Sequence, residues 1–377
     1  MRVGFDGKRA VMNMTGIGNY SRLVIESLAE EYPGSDFYIY TPKLKNNPRL
    51  KTIESLSNVR FCLPPPSGFG GGLWRTFGIT NNLRADKVDI FHGLSNELPL
   101  NIQEAHIPSV VTVHDVIWRV LPHTFSAFDR RIDDFKYGRS CRNATRIIAI
   151  SENTKNDIIK FYGIEPDKID VVYQGCDDSF KKALPKDKLE EVRNRLNLPK
   201  KYILQVGTIE ERKNLELAVK ALPYLPDDIV ILAVGKDRRG YMEKVERTAR
   251  ELAVPHRLIF RDNITFADLP AVNQMAEAIV YTSRYEGFGI PVIEGLESCR
   301  PVIAAKGSCL EEAGGPNSIY VDPDSHTELA EALNAILSGQ ADISEMTAKG
   351  KEYARRFDNS TMAERIMAVY EKCLTAK

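Results

Sequence analysis

Residues 285–295 read YEGFGIPVIEG and place Glu286 and Glu294 eight positions apart, with Gly287, Gly289 and Pro291 between them. A carboxylate accepts hydrogen bonds from neighbouring hydroxyls, and a glycine-flanked helix start offers unpaired N–H groups to an anion. The preceding run AIVYTS (278–283) has the short β-branched pattern of a buried strand, and Pro291 is favoured at a helix start. Glu294 is therefore expected in the first helical turn, where it can accept from a vicinal diol such as a ribose. Glu286, in the loop, can do the same for a second polyol. Two carboxylates around a phosphate-sized gap fit a sugar nucleotide. A plainer alternative stays open at this point: Glu294 complements the helix dipole and Glu286 is simply solvated.

Three further stretches place chemistry just after strands. In VGTIEERKNLELAV (206–219), Gly207 and Thr208 open a loop and Arg212 and Lys213 follow at a helix start. Adjacent cations there can neutralise a diphosphate leaving group, unless they are an ordinary solvated pair. VVTVHDV (110–116) delivers His114 and Asp115 from a strand end. His114 suits a substrate hydroxyl or phosphate, or is a structural histidine, and Asp115 can orient the loop. In TGIGNYSRLVIESL (15–28), Gly16, Gly18 and Ser21 fall at dinucleotide-fingerprint positions. That turn comes some ten residues after the first strand, and the second strand ends without an acid for an adenosine ribose, so a dehydrogenase is rejected. Asp322-Pro323-Asp324 has no supporting His or Glu and reads as a turn, so no metal site is expected.

The elements that must carry these residues alternate. Short apolar runs at 2–6, 37–41, 59–63, 89–93, 109–115, 146–151 and 170–175 interleave with helical patterns. Six more follow at 202–208, 229–235, 257–262, 278–283, 301–305 and 318–322. Such alternation implies α/β architecture: two Rossmann-like, doubly wound parallel sheets whose strand ends meet at a ligand cleft. The expected division is a first domain at 1–183, a charged linker at 184–200 and a second domain at 201–377. The terminal helix, about 359–377, could pack back on the first domain.

Bulk composition agrees with a soluble globular chain of two domains. Of 377 residues, 43% are hydrophobic and 27% charged. Lys+Arg and Asp+Glu both count 51, so no overall field points to nucleic acid. No apolar run is long enough to span a bilayer, and the start lacks a signal-peptide pattern. The six cysteines are scattered without C-x-x-C, which suits a reducing cytoplasm.

Together these motifs resemble glycosyltransferase family 4, the retaining sugar-nucleotide transferases of the two-domain GT-B fold. The resemblance runs through T-G-I-G-x-Y, His-Asp, IIAISENTKNDI, VGTIEERKN, EGFGIPVIEG and GSCLEEAGG (307–315), and the E-x7-E element is its most specific part. It implies that Glu294 binds the nucleotide ribose. Glu286, with the backbone of Phe288, Gly289 and Ile290, would hold the donor sugar and its phosphates. Arg212 and Lys213 would stabilise the departing diphosphate, His114 would contact the donor sugar, and the Gly16–Gly18 loop would close over the phosphates and shape the acceptor side. The family needs no metal, and its retention is usually explained by front-face attack. The T-G-I-G-x-Y and His-Asp style resembles the bacterial mannosyltransferase branch, which implies GDP-mannose as donor and surface-polysaccharide or lipopolysaccharide synthesis as setting. Departures at 173–175, where the chain reads YQG, and in FRDNIT (260–265), near the expected base, leave UDP-sugars open.

The acceptor is expected to be a glycan or lipid-linked. FSAFDRRIDDFKYGRSCRNATR carries Phe125, Phe128, Ile132 and Phe135 at helical spacing, with Arg130, Arg131, Lys136, Arg139 and Arg142 around them. This stripe fits either peripheral contact with the inner membrane surface or burial in the core. Two other functional classes remain at this point, a sugar-nucleotide epimerase and a non-catalytic sugar-nucleotide-binding module on the same fold.

Overall fold

The structure, a computed structural model, describes residues 1–66, 70–238 and 240–375. Among the described residues, thirteen strands form where the apolar runs stand. β1 (Arg2–Asp6), β2 (Asp36–Tyr40), β3 (Val59–Cys62), β4 (Ile90–Gly93), β5 (Ser109–Val113), β6 (Arg146–Ala149) and β7 (Ile169–Val171) make one sheet. β8 (Tyr202–Val206), β9 (Val230–Val234), β10 (Leu258–Arg261), β11 (Ala278–Tyr281), β12 (Val302–Ala305) and β13 (Ile319–Val321) make the other. The strand orders are β3-β2-β1-β4-β5-β6-β7 and β10-β9-β8-β11-β12-β13, and each pairing is parallel. Both orders reverse direction beside their first strand, the switch point where open α/β sheets bind ligands.

Burial explains the near-continuous apolar runs. β4, β5, β11 and β12 are buried along their whole length, as strands covered by helices on both faces must be. In the second sheet Ile203, Ile231, Val280 and Ile303 share one core with Leu215, Val219 and Leu333 from the flanking helices. In the first, Phe91, Val111 and Ile147 pack with Leu83, Trp118 and Ile158.

The chain divides into two compact units, Met1–Gln174 with Phe357–Lys377, and Gly175–Arg356. This differs from the expected boundary at 183. The segment 184–200, expected as a linker, belongs to the second unit: its helix Lys186–Leu196 buries Val192, and Arg195 pairs with Asp268 at 2.6 Å. Leu184 also donates its N–H to Gln274 Oε1 at 2.9 Å. Composition made it look like a linker because most of its charged side chains face solvent. The terminal helix Asn359–Thr375 packs against the helix Gly16–Glu31 of the first unit and buries Met362, Ile366 and Tyr370. Among the described residues, no helix is long and apolar enough to cross a membrane.

Candidate active site

In the second unit, β8 and β11 are neighbours, so the loops leaving their carboxyl ends meet. After β8 the chain turns through Gly207, whose φ of +148° lies where L side chains are strained, and Thr208. A short 3₁₀ turn, Glu211–Lys213, then ends on Asn214 in the left-handed region. The Asn214 amide donates to the carbonyls of Thr282 and Pro323, and its own carbonyl accepts from Thr282 Oγ1. The Arg284 N–H donates to the Arg212 carbonyl at 2.8 Å. These bonds fasten the Arg-Lys-Asn turn to the segment that follows β11.

The turn presents both cations to one carboxylate. Arg212 lies 2.8 Å and Lys213 2.5 Å from Glu286 Oε1, and Arg212 also pairs with Glu210 at 2.6 Å. Tyr281 donates to the same Glu286 oxygen at 3.1 Å and accepts from Lys213, whose ammonium sits over the tyrosine ring. All of these side chains are largely withdrawn from solvent. That settles the alternatives left open above: Arg212 and Lys213 are not a solvated pair, and Glu286 is not a solvated acid. Burial by itself would raise the Glu286 pKa, but Lys213 and Arg212 outweigh it and bring it down to about 2. Lys213 is pushed down by burial and by Arg212, only partly offset by Glu286.

Glu294 has the opposite environment. It is buried, and among the described residues no cation offsets that burial. Burial, reinforced by Asp177, pushes its pKa up to about 8. Its place on the helix also corrects the expectation. The helix spans Ile290–Glu297 with Pro291 as its second residue, so Glu294 lies beyond the first turn. A helix dipole acts within that first turn, and complementing it does not explain this carboxyl. Gly289 is the N-cap residue and Ile290 the first helical residue, while Phe288 is buried. The loop is held from behind by Cys309, whose thiol donates to the carbonyls of Glu286 and Phe288 at 3.1 and 3.0 Å. Asp322 accepts from the Asp324 N–H, so this proline segment is the turn expected.

The first unit holds His114 and the glycine pair. The His114 ring donates Nε2–H to the Leu94 carbonyl at 2.9 Å, and its backbone N–H donates to Asn96 Oδ1 at 2.6 Å. Tyr20 meets the ring edge-on at 4.7 Å between centroids. Burial brings the His114 pKa down to about 4, against the Leu94 hydrogen bond and with help from Arg9. A neutral ring with a committed Nε2–H leaves Nδ1 as an acceptor. Of the two partners allowed from sequence, a hydroxyl donor suits this Nδ1 acceptor. Asp115 accepts from the Ile117 N–H at 3.3 Å, turning the chain behind the histidine. Gly16 and Gly18 are the first and third residues of the helix Gly16–Glu31, not of a free loop. Gly18 permits a close approach there, since a Cβ would lie 2.0 Å from the Asn13 carbonyl oxygen.

The family described as Glycosyltransferase Family 4 matches residues 14–180, and that described as Glycosyl transferases group 1 matches residues 187–357. The chain is a glycosyltransferase with a family 4 domain followed by a group 1 domain.

Relatives of this glycosyltransferase agree over long stretches at low identity. The O-antigen chain mannosyltransferase B of Escherichia coli is 24% identical, covering 95% of this chain and 96% of the relative. The O-antigen chain mannosyltransferase RfbU of Salmonella typhimurium is 24% identical over 68% of this chain and 67% of its own. Among solved structures, Anabaena HepE in complex with UDP and glucose superposes with a TM-score of 0.78 at 20% identity, covering 99% of this chain and all of that one. That likeness shows the GT-B fold.

Some residues of the glycosyltransferase's site were missed from sequence. Tyr281 reads as an ordinary apolar strand residue, and only the fold turns its hydroxyl toward Lys213 and Glu286. Cys309 lies in the quoted stretch GSCLEEAGG, but a thiol supporting a loop from another helix leaves no local signal. Asn96, with its positive φ of 64°, carried a weak signal, since asparagine tolerates that region better than most residues.

Proposed function

We propose that this glycosyltransferase moves mannose from GDP-mannose, with retention and without a metal, to a glycan or lipid-linked acceptor during bacterial surface-polysaccharide synthesis. The observation that carries the donor reading is the pairing of two buried cations held on Glu286 with a second buried acid, Glu294, eight residues beyond Glu286. Arg212 and Lys213 are arranged to receive diphosphate charge, and Glu294, lacking a cation, is suited to the two hydroxyls of a ribose. Phe288, Gly289 and Ile290 supply backbone at the helix start, and Gly207 and Thr208 supply it in the loop after β8.

In the step proposed, the bond from the sugar's anomeric carbon to the phosphate oxygen breaks and the acceptor oxygen bonds to that carbon on the same face. The acceptor's proton passes to the departing phosphate oxygen, and Arg212 and Lys213 hold the charge that remains. Such a route asks the protein for positioning and electrostatic stabilisation. Glu286 orients both cations and is available to the donor sugar, while His114 Nδ1 accepts from a sugar hydroxyl.

Mannose is favoured by the names of the two O-antigen relatives. A UDP-sugar donor is the second reading, favoured by the UDP and glucose in the solved HepE complex. A thermal-shift panel of GDP, UDP, ADP, GDP-mannose and UDP-glucose, with and without Mg²⁺, separates them. A metal-independent guanine preference that is lost in Glu294→Ala supports the first reading. Uridine preference replaces the donor, and no shift with any of the five overturns the ribose and diphosphate assignments.

Cytoplasmic placement at the inner membrane surface completes the proposal. Among the described residues no cysteine forms a disulfide. On the helix Ala127–Asn143, Phe128 is 72%, Ile132 36% and Phe135 57% exposed, with Arg131, Arg139 and Arg142 also exposed. An apolar stripe beside basic residues suits an anionic lipid surface.

A further inference from the structure

The transfer step uses one buried histidine of the first unit and leaves another, His92, without a task. His92 stands on β4, and both of its ring nitrogens meet hydroxyls. Nδ1 lies 2.6 Å from the Tyr370 hydroxyl, 278 positions away, and Nε2 lies 2.8 Å from Thr112 Oγ1. Thr112 Oγ1 is in turn 3.1 Å from the Tyr20 hydroxyl, and the Tyr20 ring meets that of His114 edge-on. A polar chain thus runs from Tyr370 through His92 and Thr112 to Tyr20 and ends against His114.

Local structure explains why these side chains converge. Tyr370 follows Ile366 by one turn on the helix Asn359–Thr375, so it shares the buried face that packs on the helix Gly16–Glu31. Tyr20 is the tyrosine of T-G-I-G-x-Y on that second helix. Thr112 lies on β5 and His114 follows two residues later, a spacing that puts both side chains on one side of the strand.

All four members are buried, so water does not compete for their bonds, and a partner lost here is not replaced. Burial, with a smaller contribution from His114, brings the His92 pKa down to about 3. A neutral imidazole has one N–H and one acceptor nitrogen. His92 must therefore accept from one hydroxyl and donate to the other, and reversing either bond reverses both. The chain behaves as a unit. His114 itself is fastened at Nε2 by the Leu94 carbonyl, and the Tyr20 ring limits its swing about that bond.

We infer that Tyr370, His92, Thr112 and Tyr20 are positioning residues for His114: through them the terminal helix fixes the Tyr20 ring and so the direction of His114 Nδ1. The inference rests on the reading that His114 accepts from a donor-sugar hydroxyl, and it extends that site to the last helix of the chain.

The test begins without substrate. Long-range ¹⁵N–¹H spectra of the full chain labelled with ¹⁵N-histidine read both nitrogens of each ring, and His92→Gln and His114→Gln assign the signals. Tyr370→Phe and Tyr20→Phe, which keep the rings and remove only hydroxyls, should each move the His114 signals. Ile366→Val trims the same terminal helix without touching the polar chain and should leave them in place. Hydrolysis of GDP-mannose and UDP-glucose supplies the second arm. Each tyrosine variant should lower kcat by about tenfold at nearly unchanged KM, within the roughly 10²-fold that a displacement of about 1 Å costs near the chemistry. The double variant should be no worse than either single one, because both break one chain. Melting temperatures identify folded variants, and either tyrosine variant suffices for the spectra. His114 signals unmoved in the tyrosine variants, moved equally by Ile366→Val, or accompanied by additive losses in the double variant overturn the inference. Wild-type protein that hydrolyses neither donor counts against the donor reading, while the His114 spectra still decide the chain.

Discussion

Lys213 Nζ lies 2.5 Å from Glu286 Oε1, although the two residues are separated by 73 positions and leave different strands. Arg212 reaches the same oxygen at 2.8 Å. One buried carboxylate therefore holds two adjacent cations in place. Their mutual repulsion is reduced, and their positive field remains available to an anion arriving beside them.

Arg212→Ala is expected to lower sugar transfer by about 10²–10³-fold, the size of one lost electrostatic contact to a developing charge. Nucleoside-diphosphate affinity should fall far less. Steady-state kinetics beside a binding titration checks this. Equal losses in both, with no donor turnover in the wild type, would instead favour a binding module.

Glu294 sets a stability trend with pH. Its folded pKa, about 8, stands above its ordinary 4.5. The fold thus favours the protonated form, and the associated stability is complete below about pH 4.5 and lost as pH rises through about 8. Glu294→Gln should remove this dependence, worth on the order of a few kcal/mol across the window. Melting temperatures of both proteins from pH 5 to 9 should converge at the acid end and diverge in favour of the variant at the alkaline end.

Glu286 has the opposite sign. Its folded pKa, about 2, lies below the ordinary 4.5, so its contribution is complete above about pH 4.5 and fades as pH falls toward 2. Acid unfolding of Glu286→Gln should lack that limb, but the variant should be less stable at neutral pH because Lys213 and Arg212 lose their shared counter-charge. Urea titrations at pH 3 and pH 7 provide the comparison.

Tyr281→Phe removes the hydroxyl that bonds both Lys213 and Glu286. A loss of about 1–3 kcal/mol is expected from leaving buried polar partners short of a hydrogen bond. Denaturant unfolding measures it, and a neutral result would mean that Lys213 and Glu286 close the gap unaided.

The exposed Phe128, Ile132 and Phe135 predict flotation with liposomes containing anionic lipid. Replacing the three with serine should abolish flotation without altering the GDP or UDP thermal shift. A wild-type protein that stays at the bottom of the gradient sinks the membrane assignment.

Much of this architecture was legible in the sequence because its causes are local. A buried parallel strand must be a short apolar run, and thirteen such runs in alternation with helices leave little choice but two doubly wound sheets. The spacing of Glu286 and Glu294, and the position of Arg212 and Lys213 just after a strand, also survive without coordinates. Tertiary structure decided what those residues experience. Glu286 and Glu294 are chemically identical and eight residues apart, yet one is held near pKa 2 by two cations and the other near 8 by burial without one. The tautomer of His114 depends on a carbonyl twenty residues upstream, and the Arg75 ion pairs to Asp6 and Glu97 join three segments scattered over the first hundred residues. The domain boundary moved for the same reason, since the charged segment 184–200 looks like a linker until Arg195 meets Asp268. Periodicity is set by neighbours along the chain, whereas desolvation and charge depend on everything the fold brings near.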